Sequence, residues 1–197
     1  MQNIFLIANI LNALAFSVPE PAEKNQYPLA GKKIAMIIAE RLFHDREFTE
    51  LKIIIEHEGA EVIIASNTLS EATGTLELRV KPDILISEIL VKNFNAVVFV
   101  GGPGCLRYTS DRQAHLIAQL VTKHRKILAA IGLATFIITD AGLLKGKKAN
   151  GFSPYNVTAN DFTDTDNEVR RLGNVIVANG SGAVTKFGEA IVFSLSE

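Results

Sequence analysis

The 197-residue chain carries 20 lysines and arginines against 21 aspartates and glutamates, a formal net charge of −1, and 48% of its residues are hydrophobic. That balance excludes a disordered chain and leaves no electrostatic footprint for nucleic acid, while the length suits one domain with a substantial core. The single cysteine, Cys105, excludes an internal disulfide and any multi-cysteine metal site, which suits a reducing, cytoplasmic compartment.

Residues 4–18 are almost wholly apolar but too few to cross a bilayer as a helix, so no membrane span is expected. Ile4, Ile7, Leu11 and Leu14 recur at helical spacing, which favours an arm packed on a partner or on its own domain. An export signal is the alternative, against which stand the late first basic residue, Lys24, and the interruptions at Asn9 and Asn12. A membrane-surface helix is the third reading. Pro19, Pro21 and Pro28 make 19–31 an extended linker, so the chain divides into an arm and linker over 1–31 and a domain over 32–197.

Ile34–Ala39 is an unbroken apolar run of strand length. Phe48, Leu51, Ile54 and Ile55 then stripe one face of a helix, which Gly59 closes. Residues 61–66 read as a second strand, 67–75 as a loop, and 76–81 as a short edge strand with Leu76, Leu78 and Val80 turned inward. Asn95–Val100 is a further buried strand that ends in Gly101-Gly-Pro-Gly104. Ser110 or Asp111 caps the next helix, which carries Leu116, Ile117, Leu120 and Val121. Lys126–Ile131 is a strand running into a helix over 134–142, with Gly132 at the joint. A strand near 148–152, a polar loop over 155–167, two short strands meeting at Gly173 and a closing helix over 182–195 complete the chain. Strands alternating with helices predict a mostly parallel sheet covered on both faces, a flavodoxin-like three-layer α/β/α sandwich. Ligands in such folds bind beyond the carboxyl ends of the strands, an edge that holds the 40–47 loop, Gly101–Cys105 and Gly132.

In an α/β fold a strand-to-helix joint displays a nucleophile, and glycine has none to display. Cys105 lies at the same edge, with Arg107 near enough in sequence to favour a thiolate, but no histidine has an evident path to it. A lone cysteine is more often a small buried hydrophobe. His44 reads as a solvated loop residue rather than a site residue, since nothing in the sequence fixes it. His57, His115 and His124 fall at unrelated spacings, so no metal set is visible. The 101–104 glycines lack both the Walker lysine and the dinucleotide spacing, which makes phosphate binding a weak signal. Ser181, between Gly180 and Gly182, reads as a helix cap.

Four segments resemble the DJ-1/PfpI (ThiJ) superfamily, with its class I glutamine-amidotransferase-like fold. They are Phe43-His-Asp-Arg-Glu47 with the helix ending Glu58-Gly-Ala-Glu-Val62; Val98-Phe-Val-Gly-Gly-Pro-Gly104; Ala129-Ala-Ile-Gly-Leu133 with Ala141-Gly-Leu-Leu-Lys-Gly-Lys147; and Gly173-Asn-Val-Ile-Val with Gly180-Ser-Gly182. The resemblance covers 32–195. It implies a nucleophile elbow with a low-pKa cysteine, a carboxylate from the first strand–helix loop, a histidine and a backbone oxyanion hole. Glu47 matches the carboxylate, and Gly101, Gly102 and the Leu133 amide match the oxyanion hole. Gly132 stands where the cysteine belongs, Leu133 replaces the histidine beside it, and Ser153 stands at the catalytic-histidine position. The resemblance therefore implies a catalytically disabled member with a binding, stress-related or structural role. The alternative is an active hydrolase, protease, deglycase or glyoxalase using Cys105 or Glu47. A homodimer and a small-molecule ligand at the former active site are the partners it implies, with no cofactor, metal, nucleic acid or membrane.

Overall fold

The computed structural model describes residues 27–144 and 169–197. Ser153, the strand near 148–152, the loop over 155–167 and residues 1–26 of the arm and linker lie outside the described residues.

Among the described residues seven strands form the main sheet: β1 (Lys33–Ile37), β3 (Glu61–Ser66), β6 (Ile84–Leu85), β7 (Ala96–Phe99), β8 (Ile127–Ile131), β9 (Val169–Leu172) and β10 (Val175–Ala178). Their order is β6-β3-β1-β7-β8-β10-β9, all parallel except β9, which pairs antiparallel with β10. Taken alone, the five longer parallel strands β1, β3, β7, β8 and β10 stand in the spatial order second, first, third, fourth, fifth, the flavodoxin-like arrangement. The sheet is covered by helices α1 (Asp45–His57), α2 (Arg112–Lys123), α3 (Thr135–Asp140) and α4 (Val184–Ser196).

Alternation along the strands builds the two layers. On β1, Ala35 and Ile37 face the core layer that takes in Ile117 and Val121 of α2 and Ile137 of α3. Ile34 and Met36 face the other layer, with Phe48, Leu51 and Ile55 of α1 and Phe187 and Ile191 of α4. The two helices of that second layer cross closely at Gly188, where a Cβ would stand 2.9 Å from Ile54 Cγ2. Asp111 caps α2 by accepting from the amides of Gln113 and Ala114, one of the two residues expected to do so. Gly59, at φ +92°, follows α1 as a left-handed stop.

The structure corrects three sequence expectations. The linker does not extend to 31: Leu29 is fully buried, and its amide donates to Glu58 O at 2.8 Å. The 67–75 segment is not all loop, since β4 (Ala72–Gly74) joins β2 (Arg41–Phe43) and β5 (Arg79–Val80) in a second, three-stranded sheet. Leu76 does not turn inward and is 77% exposed. Its strand is shortened by a turn organised around Asp45, whose carboxylate accepts from Thr75 Oγ1 at 2.8 Å and from the amides of Leu76 and Leu78 at 2.9 and 3.0 Å. Burial pushes the Asp45 carboxyl up, but these hydrogen bonds outweigh it and hold the group below the ordinary carboxylate value. Asp45 thus ties the start of α1 to the small sheet.

Removing it strands three donors. Asp45→Ala is expected to destabilise the fold by about 2–3 kcal/mol, read as a lower urea midpoint at unchanged slope. A loss below about 0.5 kcal/mol, the size of a neutral surface change, would show that the turn is held by other contacts.

Candidate active site

Four loops at the carboxyl edge of the main sheet enclose a cleft of about 430 Å³. His44 and Glu47 come from the start of α1, Gly102 and Pro103 from the loop after β7, Gly132 and Leu133 from the joint after β8, and Asn179–Ala183 from the segment after β10. The first two loops are stitched together, since the His44 amide donates to Gly101 O at 2.9 Å. Gly102, at φ +98°, permits the approach: a Cβ there would lie 2.5 Å from His44 N.

Glu47 is the centre of the cleft. It sits in the first turn of α1, one residue ahead of the buried Phe48, and this register carries its side chain into the interior, where it is 2% exposed. The Gly101 amide donates to Oε2 at 3.0 Å, and Oε1 has no hydrogen-bond partner among the described residues. Glycines surround the carboxyl. A Cβ on Gly101 would stand 2.4 Å from Oε2, one on Gly132 2.8 Å from Oε1, and one on Gly180 3.7 Å from Oε1. Burial, only partly offset by the Gly101 hydrogen bond, pushes the Glu47 carboxyl from 4.5 up to about 7.

Gly132 has φ +60°, a region that other residues enter at a cost on the order of 1–3 kcal/mol and glycine enters freely. It opens a 3-10 turn, Gly132–Ala134, which leads into α3 and is braced by Thr135 Oγ1 donating to Gly132 O at 2.8 Å. The strand–turn–helix joint expected from sequence is therefore built, with the carboxyl of Glu47 where a side chain at 132 would begin. The Gly102 and Leu133 amides border the cleft and donate to no group among the described residues. The Gly101 amide is already engaged by Glu47.

Cys105 is not brought to this cleft. Its side chain packs in the core layer beneath α2 and α3 and is 1% exposed. Burial, reinforced by the charge of Glu47, pushes the thiol up to about 12. Arg107 gives it no electropositive setting, because the guanidinium pairs with Glu40 at 2.9 Å and lies over the Tyr108 ring. Among the described residues, no group of three His, Cys, Asp or Glu is arranged to hold a metal, and no helix is long and apolar enough to cross a membrane.

His44 is not simply a solvated loop residue. It caps α1, with Nδ1 accepting from the Glu47 amide at 3.4 Å, and its half-buried ring lines the cleft. That bond places the proton of the neutral ring on Nε2. Ser181 caps no helix: it lies in a 3-10 turn, Ser181–Ala183, with no side-chain cap. The sequence reading passed over Asn179–Ala183 as part of the site. The signal was present, since the segment follows a parallel strand at the ligand-binding edge. Asn179 Oδ1 is buried there without a hydrogen-bond partner among the described residues.

Residues 32–194 match the DJ-1/PfpI family. The chain belongs to the DJ-1/PfpI family. It is similar to an uncharacterized protein of Methanocaldococcus jannaschii, 28% identical over 86% of this chain and 85% of that one. It is 32% identical to the deglycase PfpI of Pyrococcus furiosus, over 54% of this chain and 67% of the relative. Its fold resembles the crystal structure of a ThiJ/PfpI domain protein from Brachyspira murdochii, with a TM-score of 0.79 and 31% identity over 84% of this chain and 98% of that one. The cleft thus combines the Glu47 carboxyl, amides without a partner among the described residues, and a strand–helix joint whose residue, Gly132, has no side chain.

A carboxyl raised on folding favours the folded state while protonated. Its contribution is fully present below about pH 4.5 and is lost as pH rises through 7. The difference is on the order of 3 kcal/mol. Glu47→Gln keeps the shape and removes the ionisation. Its melting temperature should exceed the wild type's by several degrees near pH 8.5 and converge with it below pH 5. Parallel curves across that range would contradict a buried, raised carboxyl.

Proposed function

We propose that this DJ-1/PfpI protein is catalytically disabled and that its former active site serves as a binding cleft for a small molecule. One observation carries the reading: at the elbow, Gly132 supplies the left-handed turn against Glu47 Oε1 but has no nucleophilic atom. The remaining thiol supports it, because a group raised to about 12 is ionised to roughly one part in 10⁵ at neutral pH and lies in the core rather than the cleft. Ser153, at the position that family resemblance assigns to a histidine, offers no base. Assembly as a homodimer and a stress-related or structural role belong to the same proposal and rest on the family relationship, and a cytoplasmic location rests on the single cysteine.

A second reading has its own support. Glu47 near 7 has the proton affinity of a general base at neutral pH, and a relative bears the name deglycase. On that reading Glu47 would activate water without a covalent intermediate.

Methylglyoxal consumption and peptide hydrolysis, measured for the wild type, Cys105→Ala and Glu47→Gln, separate the alternatives. The disabled reading predicts rates at the uncatalysed background for all three. Turnover abolished by Cys105→Ala would overturn it in favour of a relocated nucleophile, and turnover surviving Cys105→Ala but lost in Glu47→Gln would overturn it in favour of carboxylate base catalysis.

A further inference from the structure

Several backbone amides border the cleft without a partner among the described residues. Besides the Gly102 and Leu133 amides, these include those of Ser181 and Gly182. The latter two belong to the 3-10 turn Ser181–Ala183 that leads into α4, whose own N-cap is Ala183, so they lie outside the helix and its hydrogen-bond ladder. Independently of that turn, the Glu47 side chain is buried, with Oε1 unpartnered among the described residues and facing the gap between Gly132 and Gly180. Resting on the reading of the cleft as a binding site, we propose that it takes a short-chain monocarboxylate, with the carboxylate in the gap beside Gly132 and accepting a hydrogen bond from the Glu47 carboxyl.

Charge decides the ligand class. Among the described residues no lysine or arginine lines the cleft, so a dianion such as phosphate would be desolvated there with no counter-charge from them. A monoanion needs none of that: one oxygen shares the Glu47 proton in a charge-assisted bond, and the backbone amides take the other. The Asn179 amide, whose oxygen has no partner among the described residues, would present its NH2 to the same anion if turned over. Pro103, Leu133 and Ala183 give the tail an apolar wall, and about 430 Å³ suits a small molecule.

The proton on Glu47 makes binding pH-dependent, and few groups around it could confound this. His44 heads the same helix and lines the cleft, and Cys105 comes from the turn after β7. The joints after β8 and β10 present Gly132, Leu133, Asn179, Gly180 and Ser181, none of which ionises.

Calorimetric titration of the full-length protein with sodium propionate, propionamide and inorganic phosphate, at matched ionic strength near pH 6 and near pH 8.5, tests the proposal. Propionate is expected to saturate the protein near pH 6 and to bind about tenfold or more weakly near pH 8.5, because the complex holds a proton that the free carboxyl releases above about 7. Propionamide and phosphate should bind about tenfold or more weakly than propionate near pH 6, that is, by about 1.4 kcal/mol or more. Glu47→Gln, which keeps a donor but cannot ionise, should bind propionate equally at both pH values. Propionate binding that is absent or flat with pH in the wild type, or propionamide or phosphate matching it, would overturn the proposal. If Glu47→Gln fails to fold, the wild-type comparisons decide alone. These failures differ from that of the disabled-enzyme reading, which falls on Cys105- or Glu47-dependent turnover.

Discussion

One buried carboxyl sets the terms for the carboxyl edge of the sheet. Glu47 enters the interior from the first turn of α1, and three backbone segments close around it without side chains of their own. Gly101 shows the constraint most plainly. It has no positive φ to demand glycine, yet a Cβ there would lie 2.4 Å from Glu47 Oε2 and 2.7 Å from Ile131 O. The requirement comes from the carboxyl and its neighbours, not from the turn. At Gly132 both demands coincide, a φ of +60° and an approach to Oε1. The loops after β7, β8 and β10 therefore converge on Glu47 because each yields room to its carboxyl.

Such an arrangement has a thermodynamic cost. A carboxyl with one hydrogen bond in a dry setting resists ionisation, and above neutral pH it weakens the fold that holds it. Asp45, two residues earlier, is the contrast: also buried, it accepts from a hydroxyl and two amides and stays below the ordinary carboxylate value. Two acids on one helical turn thus diverge by their partners. Asp45 fastens the small sheet to α1, while Glu47 keeps one oxygen uncommitted at the mouth of a cleft. The uncommitted oxygen is what gives the cleft its chemistry.

Much of this was legible in the sequence because the central strands are continuous apolar runs. Ala96–Phe99 and Ile127–Ile131 are buried on both faces, and such strands announce themselves. The Gly132 joint and the carboxyl at position 47 followed from the motif pattern, whereas the burial of that carboxyl came only with the packed loops. The small sheet was not legible, since β2, β4 and β5 are two or three residues long and are held by long-range contacts such as those of Asp45. The inward expectation for Leu76 assumed an unbroken alternation, which the turn at Glu77, with φ +66°, interrupts. The place of His44 was not legible, because its fixing contact is a helix cap whose boundary the sequence leaves open. The burial of Cys105 agrees with the reading of a lone cysteine as a small hydrophobe, and its glycine-rich neighbours do not keep it out of the core beneath α2 and α3.

The central claim is that the joint at Gly132 keeps the shape of an elbow without its sulfur, and Gly132→Cys tests it most directly. Near pH 6.5 a protonated Glu47 would donate to a thiolate at 132 and favour it over the thiol. The account predicts that iodoacetamide alkylates the introduced thiol faster than both N-acetylcysteine and Cys105, as read by peptide mass spectrometry. Alkylation at 132 no faster than at Cys105 would contradict it.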